Sequence, residues 1–177
     1  VIEPSQPWQF IGTTLGIVEN QEVFMQIERI APALDAALWS AGPLSGHALK
    51  WLQSQAGLEV IHFGDYDPVG LSEYLRYREA LGSRVGLYIP TDLEDRLLRF
   101  GQRELLERSS GIFAKVRREA DEAVSTVLSI IERHGLAIEH EALLIPSATG
   151  LCYSRPSPQP SSPEPSGLVH PGAPMPP

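Results

Sequence analysis

Val60-Ile61-His62-Phe63-Gly64-Asp65-Tyr66-Asp67-Pro68-Val69-Gly70 is the stretch that decides the fold. A short apolar, β-branched run is what a buried strand needs. It ends abruptly in two carboxylates. Pro68 then breaks the strand and suits the first position of a helix. The same order appears upstream in Leu15-Gly16-Ile17-Val18-Glu19-Asn20, an apolar run closed by an acid. The residues between and beyond alternate in kind. Val23, Phe24, Ile27, Ile30 and Leu34 recur at helical spacing, predicting a helix over Gln21–Ala36 that Pro32 ends or kinks. A short strand is expected at Ala37–Ala41, closed by Gly42-Pro43. A helix follows over Leu44–Ala56, then the strand Val60–Phe63. Next come a helix over Val69–Leu81, stopped by Gly82, and a strand over Val85–Ile89.

That alternation predicts an α/β fold with a parallel, Rossmann-like sheet flanked by helices and joined by right-handed crossovers. Ligands in such sheets bind beyond the carboxyl ends of the strands, where the winding reverses. If the strands ending at Glu19 and Asp65 are neighbours, their acids meet there. Asp65 and Asp67, two apart in extended chain, present both carboxylates to one side, with Tyr66 facing away. Three gathered carboxylates repel one another unless a cation neutralises them. Oxygen donors suit Mg²⁺ or Mn²⁺. Glu19 would be a metal ligand, or a general acid or base if its pKa is raised. Gly70 lets a backbone or a phosphate approach. The structural alternative for Asp65 and Asp67 is turn formation and helix capping, a common use of Asp-Pro-x-Gly.

Residues 91–135 read as extra helices after the sheet. Thr91-Asp92-Leu93-Glu94 has the form of a capping box with Thr91 as N-cap. A longer helix is expected from Phe113 to His134, stopped by Gly135, with Leu136–Leu144 as a last extended segment. A leading segment with a short strand at Gln9–Thr13 is expected before the first buried strand. Domain boundaries fall at 1–145 for the α/β unit and 146–177 for a Pro/Ser-rich tail, expected to be disordered. Because the chain begins with Val1, a longer parent protein is expected.

Composition narrows the function classes. The 177 residues carry 22 acidic and 14 basic side chains, a net charge of −8 that disfavours a general nucleic-acid binder. Half of the basic residues (Arg96, Arg99, Arg103, Arg108, Lys115, Arg117 and Arg118) nevertheless fall in one region. They form either a basic face or a salt-bridged helical surface. Cys152 alone excludes an internal disulfide framework and a Cys-based zinc site. No apolar run is long enough to span a bilayer and no signal peptide is visible, so a cytoplasmic protein with no membrane partner is expected. His62, inside the strand before the acids, reads as a packed, hydrogen-bonded histidine. Trp39 and Trp51 read as core. Glu22 reads as first-turn helix charge, and Glu139 and Glu141 as either a face toward the metals or a solvated edge.

The ordered set of Val18-Glu19-Asn20-Gln21-Glu22-Val23-Phe24, Ser40-Ala41-Gly42-Pro43 and Phe63-Gly64-Asp65-Tyr66-Asp67-Pro68-Val69-Gly70-Leu71 resembles the C-terminal TOPRIM domain of the JetD family. JetD proteins are the nuclease subunits of Wadjet anti-plasmid defence systems. The D-x-D-P-x-G form is also similar to the TOPRIM domain of the topoisomerase VI A subunit. Ile138-Glu139-His140-Glu141 resembles an acidic segment that ends the JetD domain. The resemblance covers roughly residues 10–145. It implies a prokaryotic, Mg²⁺-dependent DNA endonuclease with Glu19, Asp65 and Asp67 as catalytic acids and metal ligands. It also implies DNA and an SMC-like condensin complex as partners, with a homodimer possible. The family's N-terminal DNA-contacting portion has no counterpart in this chain, and its acidic charge and tail depart from the pattern. Tyr66 and Tyr74 do not match a DNA-linking tyrosine, so hydrolysis is expected. The alternatives are a non-catalytic TOPRIM-like interaction module, or a topoisomerase VI A-like DNA-processing fragment. A D-x-D nucleotide anchor of a glycosyltransferase, or a haloacid-dehalogenase site, fits this chain length and strand order less well.

Overall fold

The protein was analysed as a computed structural model that describes residues 10–146. The Pro/Ser-rich tail and Cys152 lie outside the described residues. Four strands form one parallel sheet: β1 (Thr14–Val18), β2 (Ala36–Trp39), β3 (Glu59–Phe63) and β4 (Val85–Leu87), in the order β2-β1-β3-β4. The α/β fold class is therefore observed, with a four-stranded Rossmann-like sheet. β1 is buried along its whole length, as the second strand in from the edge should be. Its register pairs Val18 with Phe63 on β3, and the Glu19 amide continues the ladder by donating to the Phe63 carbonyl at 3.1 Å. The ends of β1 and β3 are thus held level.

Between β1 and β2 lie α1 (Gln21–Met25) and α2 (Ile27–Ile30), where one helix over Gln21–Ala36 was expected. The Gln26 amide bonds back to Val23 and Phe24, closing α1 early, while the apolar spacing survives the break and buries Val23, Ile27 and Ile30. The first expected strand does not form over residues 10–13, because the Thr13 amide and hydroxyl turn to the Asp35 carboxylate. Next come α3 (Gly46–Ser54) and α4 (Pro68–Leu81). Ser45 caps α3 through the Ala48 amide. α4 begins at Pro68 and ends at Gly82, as the sequence predicts.

The chain leaves β1 toward β2 but returns past it to β3 and β4, so right-handed crossovers place α1–α2 and α3–α4 on opposite faces. Consistently, α3 packs beside α4. The sheet reverses its winding between β1 and β3, the two strands that end in acids.

Four more helices follow: α5 (Leu93–Phe100), α6 (Arg103–Arg108), α7 (Ser110–Glu119) and α8 (Glu122–His134). The single helix expected over Phe113–His134 is broken at Ala120. Asp121 starts a new helix by capping Val124, and its other oxygen accepts the Tyr74 hydroxyl at 2.9 Å. The expected Thr91 capping box does not form; Asp92 precedes α5 and spends its carboxylate on Arg96 instead. Leu136–Leu144 is only briefly extended. Ala137 and Ile138 bridge Gln102 and Tyr66, and the chain then winds into a 3₁₀ helix over His140–Leu144. No helix among the described residues is long and apolar enough to cross a membrane.

The core runs through both helical layers and includes Ile17, Phe63, Tyr66, Leu71, Leu97 and Ile131. Trp39, expected in the core, is instead 42% exposed at the end of edge strand β2, and its indole N–H donates to the Glu19 carbonyl. Part of the basic region is a salt-bridged surface, with Lys115 on Glu119 and Arg117 on Glu132. Arg96 is no part of that surface, being only 4% exposed.

Candidate functional site: a carboxylate cluster at the strand crossover

Glu19 follows the last residue of β1 and Asp65 lies two residues past β3, so the level strand ends bring both to the crevice where the winding reverses. Each then has a different anchor. Asp65 Oδ1 accepts the His140 amide at 2.7 Å, which ties the segment after α8 to the crevice. Asp67 is the N-cap of α4, its Oδ1 accepting the Gly70 amide at 2.8 Å. The capping role weighed for Asp67 is thus observed, and it leaves Oδ2 uncommitted by that bond. Tyr66 between them does turn away. It is 1% exposed, and its hydroxyl donates to the Tyr88 carbonyl at 2.9 Å.

Gly70 has an exact steric reason. A Cβ there would stand 2.3 Å from the Asp65 carbonyl oxygen. The close approach expected at Gly70 is made by the backbone that carries Asp65. Gly70→Ala should therefore push Asp65 out of place and cost about 1–3 kcal/mol of stability. Chemical denaturation checks this, and an unchanged midpoint would show that the turn yields without cost.

Burial raises the pKa of all three acids. Burial raises the Glu19 pKa from 4.5 to about 8, with further upward pushes from Asp65, Glu73 and Asp67, against a lowering by Arg76. Asp65 is raised from 3.8 to about 6, chiefly by burial. The His140 amide opposes that rise, while Asp67, Glu139 and Glu141 add to it. Asp67 is raised by burial, offset by the Gly70 and Val69 amides and by Arg108. Glu139 and Glu141 therefore belong to the field of the site. Glu141 also accepts the Asn20 side-chain amide at 2.7 Å, while Asn20 itself caps α1.

Four contributors were missed in the sequence. Glu73 and Arg76 lie along α4, one and two turns past Gly70 on the side that reaches Glu19. Neither stands three or four residues from Asp67, so local helical spacing gave no signal for them. Burial would raise Glu73, but hydrogen bonds from Arg76 and Tyr77 outweigh it and hold its pKa low. His140 and Arg108 had no local signal, because both are brought in by tertiary packing.

Among the described residues, no three His, Cys, Asp or Glu side chains form a ready cage for a metal ion. The donor set nevertheless fits a hard, largely hydrated cation. Mg²⁺ keeps several waters and is commonly held by one or two carboxylates. Glu19 Oε1 is buried without a hydrogen-bond partner, and burial, joined by the charge of neighbouring acids, opposes ionisation of Glu19 and Asp65. Glu19, Asp65 and Asp67 are the residues that would hold such an ion. A separate groove of about 560 Å³ lies against edge strand β2, lined by Phe24, Ile27, Pro32 and Ala36 among others; none of the three acids lines it. No protein-family model, curated protein or solved structure matches this chain.

Proposed function

We propose that this chain is a metal-dependent DNA endonuclease domain of the TOPRIM type, similar to that of JetD proteins, cutting phosphodiester bonds by hydrolysis. One observation carries the proposal. Glu19 and Asp65, from two separate sequence motifs, stand at the level ends of neighbouring β1 and β3 with Asp67 starting α4 next to them in sequence; burial opposes ionisation of all three, and neighbouring acids add to it for Glu19 and Asp65. That is the charge deficit a divalent cation answers. A bound Mg²⁺ or Mn²⁺ would supply Lewis-acid stabilisation of a phosphoryl oxygen and a more acidic water.

The protein's own groups divide the remaining work. Glu19 without a cation keeps its proton at neutral pH and is placed to give or take one at the crevice. Asp65 is oriented by the His140 amide, and Asp67 by the first turn of α4, so both carboxylates are preorganised. Arg76 and Arg108, whose fields reach Glu19 and Asp67, are cationic groups that would face a phosphate backbone. An SMC-like complex as partner, a homodimer and a cytoplasmic location belong to the same proposal.

The net charge of −8 favours a second possibility, a non-catalytic TOPRIM-like docking module. The deciding test incubates the chain with supercoiled plasmid and Mn²⁺ beside Asp65→Ala. Nicked or linear DNA from the wild type alone is expected. Equal cleavage by Asp65→Ala, Glu19→Ala and wild type would refute the assignment of the acids. Tight partner binding that survives loss of all three acids, with no cleavage, would favour the docking module.

A further inference from the structure

His62, on β3 directly before Phe63, is fully buried between the rings of Tyr74 and Tyr77, at centroid distances of 6.3 and 5.1 Å. Neither ring nitrogen has a hydrogen-bond partner among the described residues. The Gly70 backbone is close enough to favour a protonated ring but falls outside hydrogen-bond geometry. Buried polar atoms are rarely left so. The facing group is another orphan of the site. Nε2 of His62 stands 3.8 Å from Oε1 of Glu19, an oxygen that is itself buried and unpartnered. That is about 1 Å beyond a hydrogen bond, within reach of a small turn of either side chain.

The neighbouring carboxylate is not a competitor. Glu73 is already taken by Arg76, whose Nε lies 3.0 Å from both of its oxygens. Gly64 makes room for the arrangement. A Cβ there would meet Nε2 of His62 at 2.3 Å and drive the ring away from Glu19.

We propose that His62 is a positioning residue for Glu19: a hydrogen bond between His62 Nε2 and Glu19 Oε1 holds the inner oxygen and leaves Oε2 as the one offered to the crevice. Partners that orient a ligating carboxylate from behind commonly matter to the site as much as a ligand does. The inference rests on Glu19 being the site's metal-binding or proton-handling carboxylate.

Two measurements test it, and the first needs no activity. In ¹⁵N-histidine-labelled, metal-free protein, Glu19→Ala should move the Nε2 resonance of His62 while Nδ1 stays in place. An unmoved Nε2 resonance overturns the proposal, whether or not the chain cleaves DNA. The second follows Mn²⁺ binding by water-proton relaxation. His62→Phe should weaken it about tenfold. His62→Gln, which returns a polar group near the place of Nε2, should recover most of that loss. Equal affinity in wild type and His62→Phe, or no recovery in His62→Gln, overturns it. Because the resonance arm uses the native ring, it stands even if His62→Phe does not fold. Failure of wild-type cleavage alongside a moved Nε2 resonance would sink the nuclease proposal and leave the hydrogen bond intact.

Discussion

Metal-free wild-type protein should lose about 1–2 kcal/mol of stability between pH 7 and 8.5, and Glu19→Gln should abolish that loss. A carboxyl whose folded pKa lies above its unfolded value keeps its proton longer in the folded state. For Glu19 that window runs from 4.5 to about 8, and stability falls as pH rises through it. Asp65 acts in the same sense, but its window closes near pH 6. His62 and His140 act oppositely. Burial lowers them from 6.5 to about 4 and about 3, so their stability is lost as pH falls below 6.5. Above pH 7 both rings are neutral whether folded or not. Burial raises the Tyr66 and Tyr74 hydroxyls further above 10, which keeps them out of this range. The alkaline limb therefore belongs to Glu19.

Its full size follows from the shift. Ionising a carboxylate moved from 4.5 to about 8 costs the folded state about 4–5 kcal/mol, at about 1.4 kcal/mol per pH unit. Glu19→Gln keeps the shape and removes the charge, so it should exceed wild type by about 4 kcal/mol at pH 8.5 and match it near pH 4. Saturating Mg²⁺ should close most of that gap for wild type and do nothing for the variant. Urea melts at several pH values check this. Parallel pH profiles for the two proteins would mean that Glu19 is not under electrostatic stress.

Arg96→Met should cost about 3–5 kcal/mol and loosen the site from a distance. Arg96 is nearly inaccessible, and its guanidinium bonds the Ala142 carbonyl at 2.6 Å, the Ile145 carbonyl at 2.8 Å and Asp92 at 2.9 Å. Methionine can fill the space of the stem but leaves Asp92 and two carbonyls without their donor. The carbonyls belong to the segment whose His140 amide holds Asp65. Its release should raise the Asp65 pKa further, since that amide is what opposes burial there. Equilibrium denaturation gives the global loss, and hydrogen exchange at the His140 amide gives the local one. A loss under about 1 kcal/mol, with that amide still protected, would show that water replaces the guanidinium.

These two residues mark how far the sequence could be read. Glu19 was legible because an acid directly after a buried apolar run stands at a strand's carboxyl end, and helix–strand alternation levels those ends across a parallel sheet. Asp65, Asp67 and the start of α4 were legible for the same reason, helped by Pro68. Arg96 was read as part of a basic surface, because local sequence shows only an arginine among acids on a helix. Its burial depends on carbonyls about fifty residues away. Trp39 is expected in the core, yet edge position decides exposure, and strand order is not written in any one strand. The breaks at Gln26 and Ala120 were missed because the apolar spacing runs on through both.

The sequence by itself determined the alternation of strands and helices, the parallel sheet and the placing of Glu19, Asp65 and Asp67 at strand ends. Each of these follows from local periodicity and from where breaking residues stand. Only the tertiary structure decided that β1 and β3 are neighbours, that the His140 amide holds Asp65, that Arg96 is buried against the Ala142 and Ile145 carbonyls, and that His62 faces Glu19. Those are long-range contacts, set by which faces the packed helices leave for one another, and burial there moves the acids' pKa values far from those of an exposed side chain.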